Sequence, residues 1–307
     1  MRGGTLEAVS VEGRRRALLL SLAASLLFGS QYVVIKGGIG GVNPLFFGAL
    51  TMGIGGLVAV FIVSRRKRLD LRPFRRWEVW AGTLATTALI SLQYIGLTLA
   101  PASVGGLIVG SNVIFVAPLS AIIFGEIIGW KRALGVAVGL VGIFTITTNW
   151  NIDSISSSQF TGYILLLGAS LSIAASYPLT KLAVRYMDND EWVMAFHLTS
   201  AVALMVLMLL TGGPGDTASA SVPAVLFVGL LCTSVPTILW AVGLRSLSMT
   251  TSATILMSES VFAVILGTVV RNESMSALTM LGAILVFVAI FLAAMPGGRW
   301  QRTTLEK

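Results

Sequence analysis

The chain has 307 residues, 55% of them hydrophobic and 11% charged, with a mean hydropathy of +0.89. That composition excludes a soluble globular domain and indicates a polytopic membrane protein. The net charge of +8 does not imply a nucleic acid partner, because the basic residues cluster at the ends of apolar runs; one cysteine (Cys232) and one histidine (His197) give no disulfide framework and no expectation of a metal or cofactor.

Apolar runs of about twenty residues, the length that crosses a bilayer as a helix, fall at 17–36, 44–64, 79–99, 102–124, 131–149, 161–181, 191–211, 223–244, 251–270 and 277–295. The expected fold class is therefore an all-α polytopic membrane protein with ten transmembrane helices. The first run follows Arg14, Arg15 and Arg16 but ends in Tyr32 and Lys36 instead of a small-residue cleavage site, so it reads as a retained span. The loops around 150–160 and 212–222 are short and rich in Ser, Gly and Asp, leaving no room for a soluble domain.

The second half of the chain repeats the first. Residues 111–126 (SNVIFVAPLSAIIFGE) align with 258–273 (SESVFAVILGTVVRNE) at an offset of 147, which sets Asn112 opposite Glu259 and Glu126 opposite Glu273. Tyr32 and Lys36 match Tyr177 and Lys181 at an offset of 145. Each half holds five spans, and an odd number makes the second half enter from the other side, so the repeats are expected to be inverted and to meet at a midplane site. The organisation read from this is a tail (1–16), a first five-helix repeat (17–149), a connecting loop (150–160), a second repeat (161–295) and a C-terminal tail (296–307).

With ten spans both termini share a face. Arg2, Arg14–Arg16, the run RRKRLDLRPFRR at 65–76, Lys131, Arg132, Lys181, Arg185, Arg245, Arg299, Arg302 and Lys307 fall on it, 19 of the 21 basic residues, with only Lys36 and Arg271 opposite. The positive-inside rule makes that face cytoplasmic and the location the inner (plasma) membrane.

Both halves end with a polar or acidic residue in a helix, an aromatic a few residues on, a glutamate at the helix end and then a Gly-containing span: Asn112, Phe115, Glu126 and Gly135 to Gly142, then Glu259, Phe262, Glu273 and Gly282. Phe28-Gly29 through Lys36, Asn43-Pro44, and the link Ala100-Pro101-Ala102-Ser103 accompany them. In this order and duplication the sequence resembles the drug/metabolite transporter superfamily, in particular its ten-helix EamA branch, over nearly the whole chain. It departs from the family pattern at Thr51 and Met52, where an arginine is frequent, and at Val113 and Ser260, where a proline is frequent. The resemblance implies alternating-access transport of amino acids, other metabolites, drugs, or sugars and phosphates, and names no substrate.

Glu259 is the leading site residue, since a charge at mid-helix costs roughly 3 kcal/mol to insert and is normally kept for a cavity or a partner. Residues three, four and seven apart share a helix face. Ser21, Ser25, Tyr32 and Lys36 form such a stripe, Ser170, Tyr177 and Lys181 repeat it, Thr86 aligns with Gln93 and Tyr94, and Thr233 and Thr237 align with Trp240. The candidate substrate-binding set is Glu259, Asn112, Gln93, Trp240, Tyr94, Tyr32, Tyr177, Thr237 and Ser111, with Glu259 and His197 as proton-coupling candidates. Against it stands a structural reading: Glu259 as a protonated or hydrogen-bonded residue clipping two helices together, Ser and Thr bridging helices, Gly106, Gly110, Gly135 and Gly139 packing them, Tyr32, Tyr177 and Trp240 as interfacial anchors, and His197 as a structural hydrogen-bonding residue.

An aromatic and polar lining of this kind suits a zwitterion or small amphipathic solute. The reading is thus a non-enzymatic secondary transporter exporting or exchanging small metabolites, amino acids foremost, as a monomer or homodimer in the bilayer. Without a GxxxxGK[ST] motif, a gradient or counter-exchange would supply the energy. The alternatives are export of drugs or other metabolites on the same fold, and a membrane-embedded lipid-processing enzyme, for which the sequence offers no HExxH.

Overall fold

The computed structural model describes residues 11–66, 72–112, 114–116, 118–119, 129–151, 155–183, 186–244, 255–256 and 258–294. These form α1 (Val11–Gly38), α2 (Pro44–Arg66), α3 (Trp77–Leu99), α4 (Ala102–Gly110), α5 (Trp130–Thr148), α6 (Ser157–Ala183), α7 (Asn189–Leu210), α8 (Val222–Gly229), α9 (Val235–Leu244), α10 (Ser258–Arg271) and α11 (Ala277–Ala294). A π-helical turn, Leu230–Ser234, joins α8 to α9 in one rod. Pro236 lies just beyond it. Its ring cannot accept the regular backbone path and it donates no N–H, and a wider turn relieves both.

Among the described residues six segments are long and apolar enough to cross a membrane: Arg15–Gly38, Pro44–Arg66, Trp77–Leu99, Ser157–Thr180, Asp190–Leu210 and Val222–Trp240. Ala102–Val116, Ala133–Thr148 and Ala277–Ala289 are shorter apolar helices. The expected spans 102–124 and 251–270 run in part through residues outside the description, 120–124 and 251–254 among them, and Glu126 lies outside it too. Local chemistry sets several ends: Asn43 accepts the Leu45 N–H at the start of α2, Asp188 and Glu191 form a capping box on α7, and Asn149, with φ 45°, closes α5.

Helix packing carries the repeat. α2 packs on α7, α4 on α10 and α5 on α11, each against its own counterpart in the other half. Other contacts come in exchanged pairs: α1 meets α8 and α9 as α6 meets α3, and α1 meets α10 as α6 meets α4. Direction is read from close approaches. Gly106 lies against Ala263, Gly110 against Ser260 and Ser103 against Gly267, so residue numbers rise along α4 as they fall along α10. Gly139 meets Ala289, Gly142 meets Val286 and Ile146 meets Gly282 in the same sense. Antiparallel counterparts are what an in-plane two-fold between inverted repeats produces. One hydrogen bond is duplicated as well: the Ser25 hydroxyl donates to the Leu256 carbonyl, and Ser170, its equivalent, donates to the carbonyl of Val109, each at 3.3 Å.

In lipid there is little hydrophobic gain between helices, so small residues that admit close backbone approach must supply the packing. A Cβ on Gly106 would collide with that of Ala263, and one on Gly142 would lie 3.0 Å from the Gly282 carbonyl oxygen. Lipid-facing positions are apolar and exposed, Leu84, Leu140, Phe144, Val269 and Phe291 among them. Exposed Trp77, Trp80, Trp130 and Tyr186 mark one interface, and Trp150 and Phe160 mark the other. The protein is thus an all-α polytopic membrane protein built from two inverted five-helix repeats.

Candidate functional site

The α4–α10 register brings Ser111 and Asn112, just past the end of α4, towards Ser258 and Glu259 at the start of α10. α1 crosses α10 at the same level. A Cβ on Gly29 would stand 2.7 Å from the Glu259 carbonyl oxygen and 2.7 Å from the Phe262 Cβ, so only glycine permits this approach. One turn along α1, the hydroxyl of Tyr32 donates to Oε1 of Glu259 at 2.7 Å. Tyr32 is fully buried and Glu259 partly so. Tyr32 is therefore a partner of the acidic group and not an interfacial anchor.

Asn112 is 8% exposed; its amide nitrogen donates to the Val109 carbonyl at 3.1 Å, and its Oδ1 has no protein partner. The Ser111 hydroxyl turns back onto the Ile108 carbonyl at 2.6 Å. Ser260, at a position where proline is frequent in the family resembled, packs on Gly110 and donates to the Gly106 carbonyl at 3.1 Å. Proline there would remove that bond.

On α3, Tyr94 is fully buried, shares a hydrogen bond with Thr51 at 3.2 Å and meets the Phe47 ring edge-on. Gln93 is 2% exposed and its amide nitrogen has no protein partner. On the α8–α9 rod, Thr233 and Thr237 satisfy themselves on the Val228 and Thr233 carbonyls, whereas Nε1 of the partly buried Trp240 has no protein partner. Buried polar atoms are nearly always paired. Among the described residues Ser21, Thr87, Ser91, Gln93, Asn112 and Trp240 each keep one buried polar atom without a protein partner, and Gln93, Asn112 and Trp240 are the three of these that belong to the candidate set.

His197 is 4% exposed on α7, with Nδ1 3.3 Å from the Ser234 hydroxyl, which also reaches the Gly55 carbonyl. It ties α7 to the π-helical turn and, through Ser234, to α2. The Tyr177 side chain lies outside the described residues. Among the described residues no three His, Cys, Asp or Glu come together as a metal site. Two recesses open on the face where α1 ends, one of about 550 Å³ beside Asn43, Thr98 and Thr211 and one of about 380 Å³ beside Ser103, Asn149, Tyr163 and Ser276. Neither is lined by Glu259, Asn112, Gln93 or Trp240.

Sequence reasoning missed three features. Gly29 looked like one motif residue among several, and its close approach to Glu259 is visible only once α1 and α10 are docked. The π-helical turn was signalled by Pro236. Glu273 marked the repeat, but the hydrogen bonds its carboxylate accepts from the Ala102 and Ser103 N–H groups of α4 did not appear in the pattern.

The EamA-like transporter family model matches residues 15–148 and again residues 160–295. Uncharacterized transporter YoaV of Bacillus subtilis is 25% identical over 286 residues, covering 90% of this chain and 96% of that protein. A probable amino-acid metabolite efflux pump of Escherichia coli is 22% identical over 301 residues, 94% of this chain and 97% of its own. A crystal structure of another protein superposes with a TM-score of 0.66 at 20% identity, over 91% of this chain and 98% of that one, a likeness of fold.

Proposed function

Because the chain belongs to the EamA-like transporter family, within the drug/metabolite transporter superfamily, we propose that it is a secondary transporter that exports or exchanges amino acids by alternating access. That it is a multi-pass membrane transporter of small molecules follows from the family; the substrate and the cycle are our reading. The observation that carries it is the Tyr32–Glu259 hydrogen bond beside Asn112, where the two repeats cross. Tyr32 engages one carboxylate oxygen, and the other is left for the ammonium of a zwitterion, with the Asn112 Oδ1 as a second acceptor. The free N–H donors of Gln93 and Trp240 suit the carboxylate end, and the tryptophan ring suits an apolar side chain. The printed name of the Escherichia coli relative, a probable amino-acid metabolite efflux pump, agrees with this class.

Export of drugs or other metabolites on the same fold is the second reading, and it is favoured by the number of aromatics along the helices that carry the site. Purified protein in liposomes loaded with radiolabelled amino acids separates the two. Counterflow with several amino acids that is abolished in Glu259→Gln supports the first; counterflow only with hydrophobic cations supports the second.

In the membrane we place both termini on the cytoplasmic side of the inner (plasma) membrane, on the strength of 19 of 21 basic residues at that face. Reporter fusions at Ser10 and after Lys307 should both give cytoplasmic signals; an external signal from either would overturn the orientation.

A further inference from the structure

α3 ends and α4 begins across a two-residue corner, Ala100 and Pro101. The corner sets the unpaired carbonyls of one helix end beside the unpaired N–H groups of another, a negative and a positive pole. Pro101, at the N-cap of α4, has no side chain able to cap it. Both poles are instead met from elsewhere. Lys36, in the last turn of α1, donates to the Leu97 carbonyl at 2.9 Å and the Ala100 carbonyl at 2.7 Å. Glu273, two residues past α10, accepts from the Ala102 N–H at 2.8 Å on Oε1 and the Ser103 N–H at 2.9 Å on Oε2. Asn272, with φ 54°, turns the chain so that the Glu273 N–H returns to the Gly267 carbonyl and its carboxylate faces α4.

We propose that Lys36 and Glu273 form a charge latch that holds the α3–α4 corner against the α1/α10 pair and shuts the path to Glu259 from that face. The same two parties meet at both levels. α1 and α10 carry Tyr32 and Glu259, while α3 and the end of α4 carry Gln93 and Asn112. Nine residues of helix-like rise separate Ser103 from Asn112, about 14 Å, so the latch stands over the site at its outer end. Four charge-assisted hydrogen bonds reach the corner, two from the last turn of α1 and two from the residue just past α10, and both ions are partly buried, where salt screens them less. The latch does not depend on which solute is carried.

The test uses the full-length protein in sealed vesicles of known orientation, with Cys232→Ser and a single reporter, Asn112→Cys. A membrane-impermeant maleimide applied from the face bearing Glu273 should label Lys36→Gln and Glu273→Gln at least about tenfold faster than the parent reporter, the scale set by losing charge-assisted bonds. Asp216→Asn, on the same face and with its carboxylate accepting only from the Ala218 N–H of its own turn, should label at the parent rate. Equal labelling of the folded Lys36 and Glu273 variants and the parent overturns the latch. A second pair keeps the question open to test should those variants not fold. Ser103→Cys with Gly267→Cys, in the Cys232→Ser background without the Asn112→Cys reporter, places two Cβ atoms 3.0 Å apart, just inside the usual disulfide separation of about 3.5–4.5 Å, so a bond forms once α4 and α10 part by about half an ångström. Oxidation should stop counterflow and reductant restore it; full transport by the cross-linked protein overturns the proposal.

Discussion

The hydroxyl of Tyr32 lies 2.7 Å from Oε1 of Glu259 and joins the first span of one repeat to the fourth of the other. The bond needs an oxygen acceptor at 259 and a donor at 32, and it does not need a charge. Replacing either residue therefore separates two roles that the wild-type pair combines.

Glu259→Gln keeps the acceptor for Tyr32 and removes the exchangeable proton and the charge. We expect unchanged expression and melting temperature, transport lowered about tenfold or more, and a flattened dependence on pH, since an amide cannot titrate. Tyr32→Phe should do the reverse in part. It strands a carboxylate oxygen at a cost of about 1–3 kcal/mol while the site still titrates, so the variant melts lower but keeps a pH-dependent rate. Parent-like transport by Glu259→Gln at every pH would make Glu259 a structural residue.

Gly29→Ala places a methyl 2.7 Å from the Glu259 carbonyl oxygen, which is backbone and cannot swing aside. The α1–α10 crossing must open, and overpacking of this kind costs about 1–3 kcal/mol. Gly129→Ala, whose Cβ would meet nothing within 4 Å, should stay within about 0.5 kcal/mol of the parent. Thermal unfolding of the two variants in the same detergent gives the comparison, and equal melting would show that α1 is not fixed at Gly29.

Trp240→Ala should leave folded yield nearly intact, because the ring is only partly buried and its N–H bonds to no protein atom. Transport should weaken about tenfold as an aromatic contact is lost. Trp240→Phe retains the ring and removes the donor; if carboxylate binding uses Nε1, its KM rises while Tm holds. Loss of folded protein with normal specific activity would mark the ring as packing.

His197→Ala leaves a void where α2, α7 and the π-helical turn meet, and should cost about 2 kcal/mol in stability. Because His197 is enclosed by Ser234 and the Phe196 ring, the pH profile of transport should keep its shape. A profile that shifts in this variant and not in Glu259→Gln would move proton coupling to His197.

The sequence carried the class, the positions of six spans among the described residues and the inverted repeat because each rests on one-dimensional signals: apolar run length, basic residues at run ends, and the 147 offset that pairs Asn112 with Glu259. Ser25 and Ser170 were visible as equivalents, though their matching bonds to Leu256 and Val109 were not. Docking angles decide such bonds, and these follow from small residues such as Gly106 and Gly142 finding particular neighbours. For the same reason Tyr32 looked equally suited to an interface, until burial beside Glu259 distinguished the two. Lys36 and Glu273 were legible as charges near helix ends; which helix ends they cap depends on a corner made by Pro101.

Asn112 and Glu259 occupy equivalent places, yet only one of them is acidic. Two identical halves would face each other with two carboxylates, and a cycle in such a pair can hand over either one or two protons. Were Glu259 to carry a coupled proton, a fused chain with a single carboxylate at the crossing would pass no more than one exchangeable charge through that point per turnover. Asn112→Glu should then raise the measured proton-to-solute ratio, and the double exchange Asn112→Glu with Glu259→Asn should return it to the parent value while moving the acid to the opposite repeat.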